Sequence, residues 1–102
     1  MKESSALPLE GVRIIDMTTT LAGPYGSQIL GDFGADVIKI EAPEGDAIRN
    51  AGPRRNEGMA STFMGCNRNK RSVALNLKKD EGKTALWKLI DSAQVFLHAI
   101  RP

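Results

Sequence analysis

Short apolar segments alternate with glycine-containing turns along the first forty residues. Residues 11–16 (GVRIID) form an apolar run bounded by turn residues, which is typical of a buried strand. A helix is predicted to begin near Pro24, which suits a first helical turn, and to end at Gly34, which suits a left-handed terminus. Residues 36–41 (DVIKIE) then read as a second strand. The pattern predicts a strand, helix, strand unit with a parallel pair of strands.

The composition of the chain changes after the second predicted strand. Residues 42–69 are polar and rich in glycine and proline, so they are predicted to form a long loop. Residues 72–77 (SVALNL) alternate as a half-buried strand does. Asp80 and Glu81 favour the start of a second helix, and residues 95–97 (VFL) form a last short strand. The whole chain therefore predicts an α/β fold with a parallel sheet and crossover helices.

Each predicted helix carries apolar residues at helical spacing, and these residues are expected to face the sheet. In the first helix they are Ile29, Leu30 and Phe33. In the second helix they are Ala85, Leu86, Leu89, Ile90 and Ala93.

Composition and charge narrow the classes of function. The 102 residues include 14 basic and 12 acidic side chains, a balance that argues against a nucleic-acid partner. No segment approaches the ~20 apolar residues that cross a bilayer, so we expect no membrane partner and a cytoplasmic location. Cys66 and His98 are the lone residues of their types, which argues against a metal site.

The strand, turn and helix at the start of the chain invite comparison with a dinucleotide site. Such sites space three glycines as G-x-G-x-x-G and place an acid about 20 residues further on. Here Gly23 and Gly26 match, and Glu41 ends the second predicted strand. Because the fingerprint is incomplete, the glycines are better explained by turn geometry and close packing, and no NAD is expected.

Basic residues flank the third predicted strand. Residues 67–72 (NRNKRS) enter the strand, and Lys78 and Lys79 leave it. They could hold the phosphates of a ligand, or they could form an ordinary solvated loop. The charges alone favour the solvated loop.

Six sequence blocks occur in a recognisable order along the chain. They are residues 9–18 (LEGVRIIDMT), 22–24 (AGP), 30–41 (LGDFGADVIKIE), 45–49 (GDAIR), 67–78 (NRNKRSVALNLK) and 81–82 (EG). Together they resemble the opening of the class III CoA-transferases, the CaiB/BaiF or formyl-CoA transferase-like family, which includes alpha-methylacyl-CoA racemase. The resemblance implies a Rossmann-like large domain, of which residues 9–102 would be the incomplete N-terminal part after a tail at residues 1–8. It also implies an interlocked homodimer.

The resemblance further implies a coenzyme A (CoA) site over the carboxyl ends of the strands. The implied contacts are Leu21, Ala22, Leu75, Asn76, Leu77, Lys78, Ala99, Ile100 and Arg101. Arg71, from the basic stretch, is added as a candidate for the CoA phosphates. Some family members carry an adenine-stacking arginine at the position of Ala42, and many have Asn-Phe at the positions of Ala99 and Ile100. We expect those contacts to be lost or replaced here.

By the same resemblance, the substrates are an acyl-CoA thioester and a small carboxylic acid. An aspartate carboxylate would attack the thioester and form a covalent intermediate. The six aspartates of this chain do not match that nucleophile, which is expected beyond Pro102. Alternatives are a racemase or isomerase of the same family, a non-catalytic CoA-binding fragment, and a truncated product without function.

Overall fold

The computed structural model describes residues 6–102, which form a parallel sheet flanked by helices. The strands are β1 (Arg13–Met17), β2 (Asp36–Glu41), β3 (Lys70–Ala74) and β4 (Val95–His98). The α-helices are α1 (Ala22–Asp32), α2 (Ser61–Asn67) and α3 (Asp80–Asp91), with a 3-10 helix at Ala47–Asn50. Of the predicted N-terminal tail, residues 1–5 lie outside the described part of the chain.

The strand order is β3-β2-β1-β4, and every neighbouring pair is parallel. The predicted α/β class with crossover helices is therefore confirmed. The chain runs outward from β1 to β3 and then returns to the other side of β1 for β4. The strand order therefore reverses between β1 and β4, and open α/β sheets form ligand crevices at the carboxyl ends of the strands beside such a point. Within residues 6–102, no helix is long and apolar enough to cross a membrane.

The two faces of the sheet bury different side chains. On the face covered by α1, Ile14 and Val37 form a small apolar cluster near the amino ends of β1 and β2. On the opposite face, Ile15, Ile38 and Ile40 form a larger cluster against α3. Because successive strand residues point to opposite faces, this alternation accounts for the continuous burial of β2 from its second residue onward.

The predicted apolar stripe of α3 is confirmed for four of its five residues. Leu86, Leu89 and Ile90 of the helix, and Ala93 just after its end, pack against the larger cluster. The predicted helix start is also confirmed, since Asp80 and Glu81 occupy the first turn of α3.

The predicted stripe of α1 is wrong in two of its three positions. Ile29 and Phe33 are 39% and 50% exposed, whereas the helix buries Pro24, Ser27, Gln28 and Gly31. The reason lies in the sheet, because the part of the sheet under this helix carries charged side chains that need polar partners. Gly34 adopts φ +107°, so the predicted left-handed end of the helix is confirmed.

The prediction of one long loop at residues 42–69 is also wrong. This segment contains the 3-10 helix and α2, both too short to show a reliable periodic pattern. Asp46 begins the 3-10 helix, where its carboxylate accepts the Ile48 N–H at 3.0 Å.

Strand β3 begins and ends earlier than predicted. It spans Lys70–Ala74 rather than residues 72–77. The chain turns at Asn76, whose side-chain oxygen accepts the Lys78 N–H at 3.0 Å and whose carbonyl accepts the Lys79 N–H at 3.1 Å. An asparagine side chain that closes its own turn ends the strand despite the alternating pattern.

The turn at Asn76 is packed against the first turn of α3, and this contact generates a prediction. A Cβ on Gly82 would lie 2.0 Å from the Asn76 carbonyl oxygen, so Gly82→Ala must move backbone. We expect a loss of about 2 kcal/mol or more in the free energy of unfolding, measured by urea denaturation.

The matched control for this substitution is Gly26→Ala within α1. A Cβ on Gly26 would meet no atom within 4 Å, so that variant should gain about 0.5–1 kcal/mol. Equal stability of the two variants would show that the Gly82 contact is not a constraint.

Candidate functional site

The loops that follow the strands meet at the carboxyl edge of the sheet and border an open cleft of about 540 Å³. Its walls come from the ends of β1 and β2 and from the turn after β3. The lining residues are Met17, Thr19, Ile40, Glu41, Ala42, Pro43, Glu44, Leu75, Asn76, Leu77 and Lys78. The lining is mainly apolar, with charged side chains at Glu41, Glu44 and Lys78.

Four of the ten predicted site residues line this cleft, namely Leu75, Asn76, Leu77 and Lys78. Leu21 and Ala22 are exposed at the start of α1, two and three residues after Thr19, and they do not line the cleft. Ala99, Ile100 and Arg101 are exposed directly after β4, which pairs with β1. These nine residues thus share one edge of the sheet, but only the turn after β3 contributes to the cleft.

Arg71 is not brought together with the other predicted residues. Its guanidinium donates to both carboxylate oxygens of Asp36, at 2.9 and 2.7 Å, and Asp36 is the first residue of β2. The opposite end of β2 lies five residues away, or about 16 Å at the rise of a strand. The placement of Arg71 near a phosphate at the cleft therefore has no geometric support.

On the face covered by α1, opposite to the side chains of Met17 and Ile40 that line the cleft, the sheet buries two ion pairs. Lys39 and Asp46 are joined at 3.0 Å, and both side chains are 1% exposed. Lys70 and Asp16 are joined at 3.1 Å, with side chains 2% and 0% exposed. Buried charges are tolerated when they are paired and hydrogen-bonded, and each of these four meets both conditions.

Asp16 is held in its ionised form by its surroundings. Burial raises its pKa, but hydrogen bonds from Ser27 and Thr18 and the charge of Lys70 outweigh burial and leave the pKa below its usual value. Burial lowers the pKa of Lys70, and Asp16 offsets part of that effect. An aspartate with no exposed surface and a lowered pKa is suited to a structural role rather than to attack on a ligand.

Glu41 is the acid that a dinucleotide site would use for the ribose, but both of its carboxylate oxygens accept hydrogen bonds from within the protein. Arg49 donates to both of its carboxylate oxygens at 2.8 and 2.7 Å, Ser72 donates a further hydrogen bond, and the Asp46 N–H donates at 2.7 Å. The hydrogen bonds from Arg49, against the opposing effect of burial, lower its pKa to about 2. These bonds leave Glu41 poorly placed to receive ribose hydroxyls.

A second cavity of about 520 Å³ opens beside α2. The lysine and arginine side chains in its lining are already bonded to other groups of the protein. Lys70 donates to Asp16, to the Pro24 carbonyl and to Asn67. Arg49 lies 3.9 Å from the centroid of the Phe63 ring and donates to Glu41 and the Gly58 carbonyl. The first cleft is the better candidate, because Lys78 has no ion pair among residues 6–102 and can meet a ligand.

The buried ion pairs were not predicted from the sequence, although one signal was present. Lys39 lies between Ile38 and Ile40, in the otherwise apolar interior of the second predicted strand. A lysine at such a position needs a buried carboxylate, but the sequence does not say which one. Among the residues that the structure describes, no group of three or more metal-ligating side chains is gathered in one place.

Comparison with known sequences gives a consistent family. A sequence profile for CoA-transferase family III matches residues 9–102. The chain is 43% identical over 100 residues to the succinyl-CoA–L-malate CoA-transferase beta subunit of Chloroflexus aurantiacus, covering 97% of this chain and 25% of that relative. It is 43% identical over 99 residues to succinyl-CoA:glutarate CoA-transferase of Mus musculus, covering 96% and 23%. The chain thus spans about a quarter of the length of these curated relatives.

Solved structures share the fold over the same segment. A hypothetical protein from Mycobacterium tuberculosis superposes with a TM-score of 0.86 at 43% identity, covering 95% of this chain and 26% of that one. A CaiB/BaiF family protein from Brucella suis also gives 0.86, at 40% identity, covering 92% and 26%.

The lowered pKa of Glu41 predicts an acid-sensitive contribution to stability. Because the folded-state pKa of about 2 is below the usual 4.5, the contribution is complete above pH 4.5 and is lost as the pH falls toward 2. It amounts to about 3 kcal/mol. Glu41→Gln should be less stable at pH 7 but should lose less stability between pH 5 and 2, as measured by urea denaturation at each pH.

Glu57→Gln is the control for this experiment, since Glu57 is exposed and has no ion pair among the described residues. Its acid profile should match that of the unsubstituted chain. If the stability of Glu41→Gln falls with pH in parallel with that of Glu57→Gln and of the unsubstituted chain, the lowered pKa of Glu41 is contradicted.

Proposed function

The chain belongs to CoA-transferase family III, and we propose that it supplies part of the CoA site of an enzyme that moves CoA from an acyl-CoA thioester to a small carboxylic acid. The observation that carries the proposal is the cleft at the carboxyl edge, with the turn Leu75, Asn76, Leu77 and Lys78 as one wall. Open α/β sheets bind ligands at this edge.

The chemistry of the cleft suits a ligand that is part apolar and part anionic. Its volume of about 540 Å³ is within the ordinary range for small-molecule sites. Ile40, Leu75 and Leu77 offer apolar surface for an adenine ring or a pantetheine arm. Lys78 offers a positive charge to a phosphate group.

The start of α1 adds a second feature that favours an anion. Its first turn contains no acidic residue, and no side chain caps it. Because Pro24 lacks an N–H, the donors of that turn are Ala22 and Gly23. The N-terminus of a helix attracts anions, and this one lies after β1 at the same edge as the cleft.

The proposed reaction needs a nucleophile, and the aspartates of this chain are poorly placed for it. Asp16 and Asp46 are buried in ion pairs, and Asp32 and Asp36 pair with arginines. Asp80 and Asp91 lie at the two ends of α3 and do not line the cleft. We therefore propose that the nucleophilic aspartate comes from a part of the enzyme outside these 102 residues.

In the proposed reaction, that carboxylate attacks the thioester carbonyl, and the carbon–sulfur bond breaks to give a mixed anhydride and CoA thiolate. The thiolate then attacks the enzyme's carbonyl and releases the donor acid, leaving CoA on the enzyme as a thioester. The acceptor carboxylate next attacks this thioester, which forms a second anhydride and releases CoA thiolate. The thiolate attacks the acceptor's carbonyl in this anhydride, which gives the new acyl-CoA and frees the aspartate carboxylate. Covalent steps of this kind divide one difficult transfer into easier ones.

The activities of the relatives named above favour a transferase over the racemase alternative. Two of them use succinyl-CoA with L-malate or glutarate, which are small dicarboxylic acids. We propose an acyl-CoA and a small carboxylic acid as the substrate pair, and an interlocked homodimer in the cytoplasm as the form of the whole enzyme.

Calorimetric titration of the chain with CoA tests the proposal, with NADH as the control ligand. NADH also carries an adenosine and a pyrophosphate but lacks the pantetheine arm. We expect saturable binding of CoA and no saturable binding of NADH. Absence of CoA binding, or equal binding of both ligands, would contradict the proposed site.

The same titration distinguishes the two cations proposed from the sequence. Lys78→Ala should weaken CoA binding about fivefold, the upper end of what one exposed charge pair contributes. Arg71→Ala should leave the affinity within about twofold, because its guanidinium is bonded to Asp36 at the other end of the strand. A larger loss for Arg71→Ala than for Lys78→Ala would move the phosphates away from the cleft.

A further inference from the structure

The loop between β1 and α1 contains a strained residue. Thr20 adopts φ +74°, a left-handed conformation that is rare for a β-branched side chain. Such conformations cost about 1–3 kcal/mol and persist only where the surroundings enforce them. Thr19, immediately before it, lines the cleft. The contacts that enforce this loop therefore also set one wall of the cleft.

Buried side chains hold the loop on both sides of Thr19. The Thr18 N–H and hydroxyl donate to Asp16 Oδ1 at 2.8 and 2.5 Å, and Lys39 Nζ donates to the Thr18 carbonyl at 3.2 Å. The Thr20 N–H donates to Asp46 Oδ2 at 3.4 Å. The Lys39–Asp46 ion pair thus contacts the loop at the residue before Thr19 and at the residue after it.

Asp46 also holds the opposite wall of the cleft. Asp46 Oδ1 accepts the Ile48 N–H at 3.0 Å, and the Asp46 N–H donates to Glu41 Oε1 at 2.7 Å. These bonds fix the loop after β2, in which Ala42, Pro43 and Glu44 line the cleft. One carboxylate therefore connects the loop after β1 with the loop after β2.

We propose that Lys39 and Asp46 are positioning residues, whose buried ion pair sets the separation of the two cleft walls and holds the loop after β1 in its strained conformation. Neither residue touches the ligand in this proposal. The expected effect of this ion pair on CoA affinity rests on the proposed function, whereas its expected effect on the loops does not.

The test uses the double variant Lys39→Met/Asp46→Asn, which removes both charges and leaves neither one unpaired. Replacement of a buried ion pair by neutral groups is often tolerated. The remaining side-chain oxygen at position 46 can still accept the Ile48 N–H, but the second oxygen, which accepts the Thr20 N–H, becomes an amide NH₂. Asp46→Asn alone is the milder variant, because Lys39 keeps its bond to the Thr18 carbonyl.

The matched control is Asp36→Asn, which removes a carboxylate from the same strand at its amino end. Asp36 pairs with Arg13 and Arg71 and has no contact with either cleft wall. Urea denaturation identifies a temperature at which every variant is folded, and all comparisons are made there.

The first readout is hydrogen exchange of single amides in the unliganded chain, measured by NMR. In the double variant the Thr20 amide should exchange at least tenfold faster, while the Ile48 amide stays within threefold. In Asp36→Asn both amides should exchange as in the unsubstituted chain. A general loss of stability would raise both rates together, so unchanged Thr20 exchange, or an equal rise at both amides, would overturn the proposal.

The second readout is CoA affinity by calorimetry. The double variant should bind CoA at least tenfold more weakly, Asp46→Asn should show a smaller loss, and Asp36→Asn should stay within twofold. Unchanged affinity in the folded variants would overturn the positioning role. If the double variant does not fold, Asp46→Asn decides both readouts. If the unsubstituted chain does not bind CoA, the proposed function fails, and the exchange of the Thr20 amide alone decides the positioning role.

Discussion

The burial of charge beneath the carboxyl edge of the sheet is the constraint on which the rest of the structure depends. Lys39 lies in the middle of the most buried strand, and an unpaired ammonium there would cost several kcal/mol. Asp46 must therefore return to the sheet, and the loop after β2 must follow it. Lys70 and Asp16 impose the same requirement on β3 and β1. The conformations of these loops are set by electrostatics more than by apolar packing.

This constraint also explains why α1 breaks the usual pattern of a helix on a sheet. The helix presents Ser27 to Asp16 and Gln28 to the Arg68 N–H, so much of its inner face is polar. Tyr25 and Ile29 are exposed, whereas Leu30 packs against the small apolar cluster. Helix α3 covers the opposite face, where the side chains are apolar, and there the ordinary amphipathic pattern applies. The two faces of the sheet are thus covered by helices with different inner faces, largely polar for α1 and apolar for α3.

Charged side chains have different roles at the amino and carboxyl ends of the strands. At the amino end, Asp36 joins Arg13 and Arg71 in a partly exposed cluster that holds β1, β2 and β3 together. At the carboxyl end, buried pairs support the loops that border the cleft. Arg68, Lys70 and Arg71 of the basic stretch all form ion pairs within the chain. Lys78 is then the cation that lines the cleft. A cluster of basic residues in a sequence is therefore a poor guide to where a phosphate binds.

The sequence by itself determined the presence and order of the four strands, most of the apolar stripe of α3, the α/β class and the family, because each is recorded in neighbouring residues or in the order of motifs. It did not determine the bounds of β3, which the turn at Asn76 shifts. Only the tertiary structure decided the inward face of α1, the helices within residues 42–69 and the partners of the buried charges. Lys70 and Asp16 are 54 residues apart in the chain. Local periodicity carries no information about such pairs, since they depend on the strand order, which places β3 and β1 on either side of β2, about 9.6 Å apart. The cleft, which depends on those pairs, could be anticipated only through family resemblance.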